Sequence, residues 1–381
     1  MDKLRVGLIG CGDVAEKKQM EAMRFHSDRC LMVGFADVNL ARAEAMKAKY
    51  GAENAVAVSD YRKMLEDKNI DVVHVQTPNA FHANATNDAL EAGKHVMCEK
   101  PMAHNIEAAK SMVETAKRTG KKLSISYQYR FREDSQLLKH VCERGELGEI
   151  YYAKAQAIGR KRVPTWGQFL NQKAQGGGPL IDLGTHALDL TMWFMDNYDV
   201  DYVMGSSYHK LKDYPQGNLH GHWESEKFEV EDSAFGFIRM KNGATIALES
   251  SWALNILDVC PASATLCGTK GGAEQRKGDD LHPFSWAINT VKNDRMYTVS
   301  PDHPSHYGNE FASPNELFVE APRRELATWF DAITNNTAPV VLPEQALTVS
   351  LVLDAIYRSS ESGQPVYFSG NGTQESAANE G

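Results

Sequence analysis

A chain of 381 residues is too long for one ordinary core, and two domains of about 100–200 residues each are expected. Hydrophobic residues at 42% and charged residues at 24% exclude a disordered chain. A net charge of −9 with no basic block argues against a nucleic-acid ligand, and no stretch reaches the roughly 20 apolar residues of a membrane span.

Met1-Asp2-Lys3-Leu4-Arg5 runs straight into a strand pattern, without the apolar run of a signal peptide. Over residues 1–125, short apolar runs at 6–9, 31–36, 72–76, 95–98 and 122–127 alternate with helical patterns such as 41–50 and 105–119. Gly51, Gly93 and Gly120 stand where helix ends favour the left-handed conformation. This rhythm predicts an α/β domain with a doubly wound parallel sheet.

After about residue 130 the rhythm changes. Residues 151–158, 201–210, 234–240 and 244–251 read as strands without regular helices between them. Asn242-Gly243 favours the positive φ angles of a tight hairpin. Residues 126–369 therefore read as an α+β domain with a large, mostly antiparallel open sheet. Two amphipathic helices close it, with stripes of Leu326, Trp329, Phe330 and Ile333, and of Val349, Val352, Leu353 and Ile356, read as core. Residues 370–381 are polar and glycine-rich and read as a flexible tail. The six cysteines, Cys11, Cys30, Cys98, Cys142, Cys260 and Cys267, form no C-x-x-C pair. They read as buried thiols of a reducing compartment, and a cytoplasmic protein is expected.

Gly10-Cys11-Gly12-Asp13-Val14-Ala15 follows the first strand and opens a helix, a G-x-G-x-x-A loop. Gly10 permits the tight turn, Gly12 lets the backbone approach a pyrophosphate, and Ala15 lets helix and strand pack closely. Free N–H groups at the helix start then face the phosphates. Asp37 ends the second strand, where an acid accepts hydrogen bonds from the adenosine ribose and repels a 2′-phosphate. NAD is expected over NADP, although Arg42 lies close by in sequence.

Thr77-Pro78-Asn79 and Glu99-Lys100-Pro101 each follow an apolar strand, at the end where doubly wound folds bind ligands. Asn79 can bond a cofactor ribose. Lys100 beside a nicotinamide can bind the substrate oxygen and favour developing charge there. Asp182 and His186 are four apart, so on a helix they share a face with Asp189. A histidine titrates near neutrality and can take a hydroxyl proton, and a nearby aspartate can orient it or bond the substrate.

Three segments together carry a resemblance: Thr77-Pro78-Asn79 with His82, Glu99-Lys100-Pro101, and the run Gly176-Gly177-Gly178-Pro179-Leu180-Ile181-Asp182-Leu183-Gly184-Thr185-His186. The chain resembles the Gfo/Idh/MocA oxidoreductases from its first strand to about residue 365. The tract 160–169, with Pro164-Thr165-Trp166-Gly167, is similar to a subset of that family. The resemblance implies an NAD-binding Rossmann domain at 1–125 and a substrate-binding and oligomerisation domain at 126–369, forming a homodimer or homotetramer. It implies hydride transfer between nicotinamide and a ring hydroxyl or ketone of a sugar, glycoside or cyclitol, without a metal. Lys100, Asp182 and His186 map to the catalytic residues, and Glu99 to a group that holds Lys100 or the ribose. Arg160 and Trp166 map to the substrate, and Trp166, His82 and Gln128 to the cofactor. Gln128 departs from the asparagine common in relatives.

Asp189 reads as a residue behind the pair or as packing, and Cys11 and Cys98 as packing. The aromatic and histidine-rich stretches 209–223 and 303–311 read as a sugar site or as surface loops. Another activity stays open: some relatives keep NAD bound, oxidise a sugar transiently, eliminate an aglycone and reduce the product. A sensor that has lost catalysis is disfavoured by the presence of Lys100, Asp182 and His186.

Overall fold

Six strands open the chain: β1 (Leu4–Ile9), β2 (Cys30–Ala36), β3 (Val56–Val58), β4 (Val72–Val75), β5 (His95–Glu99) and β6 (Leu123–Ser126). They pair in parallel in the order β3-β2-β1-β4-β5-β6. Val6, Leu8, Val72, Val73, Val75 and Val96 are wholly buried, as strands covered on both faces require. The strand order reverses between β1 and β4, so the loops after these strands meet at the switch point of the sheet. The structure, a computed structural model, describes residues 3–277, 284–300, 319–368 and 374–375.

Asparagine side chains start two of the helices in this sheet's crossovers. Asn39 accepts from Ala41 N–H to begin Leu40–Tyr50, and Asn105 accepts from Ala108 N–H at 2.8 Å to begin Ile106–Thr119. Gly93 and Gly120 take the expected positive φ, 81° and 66°. Gly51 does not: its φ is −72° and ψ 146°. It is needed for space instead, since an added Cβ would stand 2.6 Å from Lys47 O. The helix after the glycine loop is π-helical over Ala15–Met20 before the α-turn Glu21–Arg24.

The chain divides into two compact units, residues 1–131 with 315–347, and 132–314 with 348–381. A division at 125 and 369 assigns residues 315–347 to the second domain; here they belong to the first unit. The helix Ala321–Thr334 explains this, because Leu326, Trp329 and Phe330 join Val6, Leu8, Met20 and Val72 in one buried cluster.

The second unit is built on ten strands. They are β7 (Ile150–Ile158), β8 (Val200–Tyr208), β9 (Ser233–Met240), β10 (Thr245–Ser251), β11 (Cys260–Gly268), β12 (Gly271–Lys277), β13 (Phe284–Lys292), β14 (Arg295–Val299), β15 (Val366–Phe368) and β16 (Gln374–Glu375). Their order is β14-β13-β12-β11-β7-β10-β9-β8-β15-β16, antiparallel except for β7 beside β10. One face carries small and aliphatic side chains, Ala153, Ala155, Ala234, Ile238, Ile246 and Leu248, all buried. Gly205 and Gly236 sit where a Cβ would meet Ile356 of the helix Pro343–Ser362. On the other face Met204, Tyr208, Phe237 and Tyr367 stay exposed. The hairpin between β9 and β10 turns over residues 241–244, with Met240 N–H on Ala244 O at 2.9 Å and positive φ at Gly243.

No helix among the described residues is long and apolar enough to cross a membrane. The aromatic stretch 303–311 and the tail, apart from Gln374–Glu375, lie outside the described residues.

Candidate active site

In the first unit, Gly10 has φ 94° and an added Cβ would stand 2.5 Å from Gln76 O, so only glycine lets this loop pass the end of β4. At Gly12 an added Cβ would meet nothing within 4 Å, so its outer side is open. Asp13 and Val14 are exposed, and Ala15 is buried against the sheet. Asp37 Oδ2 accepts Cys11 N–H at 2.8 Å, and Oδ1 accepts Asn39 N–H at 2.8 Å. The acid expected at the ribose thus also shapes the glycine loop.

Two further turns stand at the ends of β4 and β5. Pro78, extended with φ −60° and ψ 150°, precedes the helix Asn79–Glu91, and Asn79 is buried at its first turn. His82 is wholly buried, with Nδ1 2.8 Å from Pro101 O and Nε2 2.8 Å from Thr77 O. A neutral imidazole carries one N–H, so the ring donates to one of these carbonyls at a time, and both nitrogens face the main chain of the two turns. Burial pushes its imidazole below the ordinary range, against the pull of both carbonyls.

Glu99 is also buried. Its Oε1 pairs with Lys18 Nζ, and its Oε2 accepts Lys100 N–H at 3.0 Å. Lys18 Nζ also lies 3.3 Å from Ser126 Oγ, which donates to Glu325 Oε2 at 2.9 Å. Glu99 therefore holds the Lys100 main chain and pairs with the ammonium of Lys18. The Lys100–Pro101 peptide is cis.

The side-chain amide of Gln76, Thr77 Oγ1 and Gln128 Oε1 are buried without a hydrogen-bond partner in the protein. Native structures keep few such atoms unless a ligand or water completes them. Together with the open side of Gly12, they fit a dinucleotide laid across the glycine loop and the turn after β4.

In the second unit, Asp182 lies in the π-helical turn Leu180–Gly184, and His186 in the α-helix Thr185–Met195 that continues it. The backbone is helical throughout, so the two share a face. A π-turn inside a helix is a common mark of functional sites. Asp182 Oδ2 accepts Trp252 Nε1–H at 2.9 Å. His186 is 4% exposed and Asp189 wholly buried.

A line of rings leads from Asp182 toward solvent. Trp252 packs edge-on to Phe169 at 6.5 Å, Phe169 to Trp166 at 5.9 Å, and Trp166 to His220 at 4.9 Å. Trp166 is 54% exposed. Arg160 is exposed just beyond β7. The stretch 209–223 lies largely at the surface and is tethered there. Asn218 bonds both polar groups of the Val163 main chain, at 2.9 and 3.0 Å, and Trp223 is buried beside Val163, Phe228 and Trp252.

Lys18, Trp252 and Glu231 (whose buried carboxylate contacts the Gly178 turn) escaped the sequence reading. Lys18 follows Glu16 and Lys17, which looks like a solvated helix face, and nothing local marks it as buried.

Residues 4–127 match the model of an oxidoreductase family with an NAD-binding Rossmann fold, and residues 139–368 that of the same family's C-terminal alpha/beta domain. The chain belongs to the Gfo/Idh/MocA oxidoreductase family. It is 36% identical over 363 residues to a D-glucoside 3-dehydrogenase of Escherichia coli (strain K12), covering 95% of this chain and 97% of that one. It is 25% identical over 368 residues to a glucose-6-phosphate 3-dehydrogenase of Bacillus subtilis (strain 168), covering 95% and 98%. A levoglucosan dehydrogenase solved with NADH and levoglucosan shares the fold, with a TM-score of 0.81 at 23% identity over 96% of this chain and 99% of that one.

Proposed function

We propose that this protein transfers a hydride between NAD and a ring hydroxyl or ketone of a sugar or glycoside, with Lys100, Asp182 and His186 at the reacting carbon. The observation that carries the reading is the Asp182–His186 helix face, joined through Trp252 to a line of aromatic rings that reaches solvent at Trp166. Aromatic faces pack on sugar rings, and the named relatives act on glucosides and a glucose phosphate.

The cofactor residues are Gly10, Gly12, Asp13, Val14, Ala15, Asp37, Thr77, Pro78, Asn79 and Gln128, with Glu99 and His82 holding the turns around them. Bound NAD supplies the hydride acceptor. His186 takes the hydroxyl proton, and Asp182 keeps the imidazole or the sugar in register. Lys100 stands as an ammonium at the reacting oxygen and favours the alkoxide-like transition state. Arg160 and Trp166 hold the rest of the sugar.

The first unit serves the cofactor and the second the substrate. The exposed apolar face of the ten-stranded sheet pairs copies of the chain into a dimer or tetramer. Six free thiols suit a reducing compartment such as the cytoplasm.

A screen of free sugars and glycosides tests the reading, following reduced nicotinamide and product structure together. A keto sugar formed with equal reduced nicotinamide supports it. Aglycone release without net reduction would assign the chain to oxidation, elimination and re-reduction. No turnover across the screen would overturn the enzymatic reading.

A further inference from the structure

Glu231 and Asp232 stand side by side at the entry to β9, and both carboxyls are buried, 2% and 1% exposed. The chemistry above uses neither. Glu231 Oε2 accepts Gly178 N–H at 2.8 Å, and its Oε1 accepts Leu180 N–H at 3.0 Å and the Tyr357 hydroxyl at 2.8 Å. Those N–H groups belong to the first turn of the helical segment that carries Asp182 and His186, and Asp182 N–H bonds back to Gly178 O at 2.9 Å. One carboxylate thus satisfies donors that a helix start otherwise leaves unpaired, and its charge suits that end of the dipole. The glycine run follows from the same packing: a Cβ at Gly177 would run into the Tyr357 hydroxyl, and one at Gly178 into Glu231 O.

Asp232 faces a different segment. Its Oδ2 accepts the N–H groups of Lys210 and Leu211, the latter at 2.7 Å, and its Oδ1 accepts the Ser233 hydroxyl at 2.9 Å. Lys210 and Leu211 open the stretch that Asn218 fastens to Val163 and that brings His220 to Trp166.

We propose that Glu231 and Asp232 are positioning residues with separate tasks: Glu231 places Asp182 and His186 for the chemical step, and Asp232 places the aromatic loop that holds the sugar. The inference rests on the reading of Asp182 and His186 as the reacting pair. Glu231 must be acceptor-only, because three donors converge on its two oxygens; an amide would set its own N–H₂ against one of them. Burial pushes the Glu231 carboxyl above its ordinary range while the donors pull it down. Asp232 is less demanding. An asparagine oxygen accepts both backbone N–H groups, and its N–H₂ donates to the Ser233 hydroxyl.

The test is steady-state kinetics with NAD and methyl β-D-glucoside on the parent chain and on Glu231→Gln, Tyr357→Phe, Asp232→Ala, Asp232→Asn and His186→Ala. Glu231→Gln should lower kcat by about tenfold to a hundredfold at unchanged KM, the range that a misplaced reacting group costs. Tyr357→Phe keeps two donors on the carboxylate and should lower kcat about threefold, so a poorly folded Gln variant does not end the test. Asp232→Ala should raise KM for the glucoside about tenfold with little change in kcat, and Asp232→Asn should restore most of it. Parental kcat in both Glu231→Gln and Tyr357→Phe, or equal changes of kcat and KM in the Glu231 and Asp232 variants, would overturn the inference. If His186→Ala keeps parental turnover, the functional reading itself fails. If only His186→Ala is slow, the inference alone fails.

Discussion

Lys18 and Glu99 form an ion pair beneath the turn that carries Lys100, with side chains 4% and 9% exposed. Lys18 comes from the π-helix after the glycine loop, and Glu99 from the end of β5. The helix after the glycine loop and the main chain of Lys100 therefore share one anchor, since the other Glu99 oxygen accepts Lys100 N–H.

Breaking a buried pair from one side leaves a charge without a partner, which costs about 3–5 kcal/mol. Lys18→Met should therefore lower the unfolding free energy by roughly that amount and weaken NAD binding. Lys18→Met combined with Glu99→Gln should recover much of the stability. Urea unfolding of the two single variants and the double variant measures the coupling, and strictly additive losses would refute it.

Both-face burial wrote the parallel sheet into short, mainly apolar runs, so β1, β2, β4, β5 and β6 were legible. β3 was not, because Val56–Val58 is three residues long and Val56 is 46% exposed. The stripe Leu326, Trp329, Phe330 marked a helix with a buried face. Its partner was illegible, because the same stripe suits either unit and the pairing is set some 300 residues away in sequence, at Val6 and Leu8. Motif spacing located Asp182 and His186. Glu231, which caps their helix, lies about 50 residues downstream in an acidic run that reads as surface.

Asp37 bears on cofactor choice through its charge and through the loop it holds. Its carboxylate, which the proposal sets at the ribose, binds Cys11 and Asn39 N–H. Asp37→Ala would remove both loop acceptors as well as the charge, whereas Asp37→Asn keeps one of the two acceptor oxygens and so disturbs the loop less. The parent should bind NAD more tightly than NADP, and Asp37→Asn should narrow the gap by on the order of a kcal/mol, the worth of one charge repulsion in a partly exposed site. Superimposable titrations of the parent with the two cofactors would contradict this.

Acid should destabilise the fold before most carboxylates titrate. His74 in β4 is wholly buried, and burial lowers its pKa from 6.5 to about 3. Above 6.5 the ring is neutral in both states and the stability is complete. As pH falls from 6.5 toward 3, the unfolded ring gains a proton that the folded ring refuses, so stability falls. The slope from one such group is about 1.4 kcal/mol per pH unit. His95, lowered to about 4 by burial and then by Lys121 and Lys122, adds to the loss over part of that window. Urea unfolding between pH 6.5 and 4 should show the decline, and His74→Gln should flatten it by about one proton. An unchanged slope in His74→Gln would assign the acid sensitivity elsewhere.

The open sheet face should be an interface between copies. Tyr202 stacks near Phe237 at 6.3 Å and near Tyr367 at 5.5 Å, beside exposed Met204. A contiguous apolar patch on a sheet face is rarely left to water. Light scattering should give a multiple of 42.3 kDa at micromolar concentration, and Phe237→Lys should shift it toward the single-chain mass. A parent chain that runs only as a monomer would exclude the interface.

The sharpest expectation concerns His186. Removing hydride from a carbinol carbon leaves a proton on the oxygen, and a base near neutral pKa takes it at least cost. His186 is 4% exposed on a helix whose start is fixed by Glu231, so the ring is held in place as a positioned base must be. His186→Ala should lower turnover by roughly 10²–10⁴ and leave NAD affinity nearly unchanged. Lys100→Ala should lower turnover and also weaken sugar binding, because the ammonium would bond the oxygen in the ground state and more strongly as it becomes alkoxide-like in the transition state. A lysine of lowered pKa can itself act as base, and the pH profile separates the two assignments. Loss of the acidic limb of kcat in His186→Ala identifies the histidine as the acceptor; an intact limb with reduced height transfers that role to Lys100. Turnover within about threefold of the parent in His186→Ala, far less than a general base contributes, would remove the histidine from the reaction.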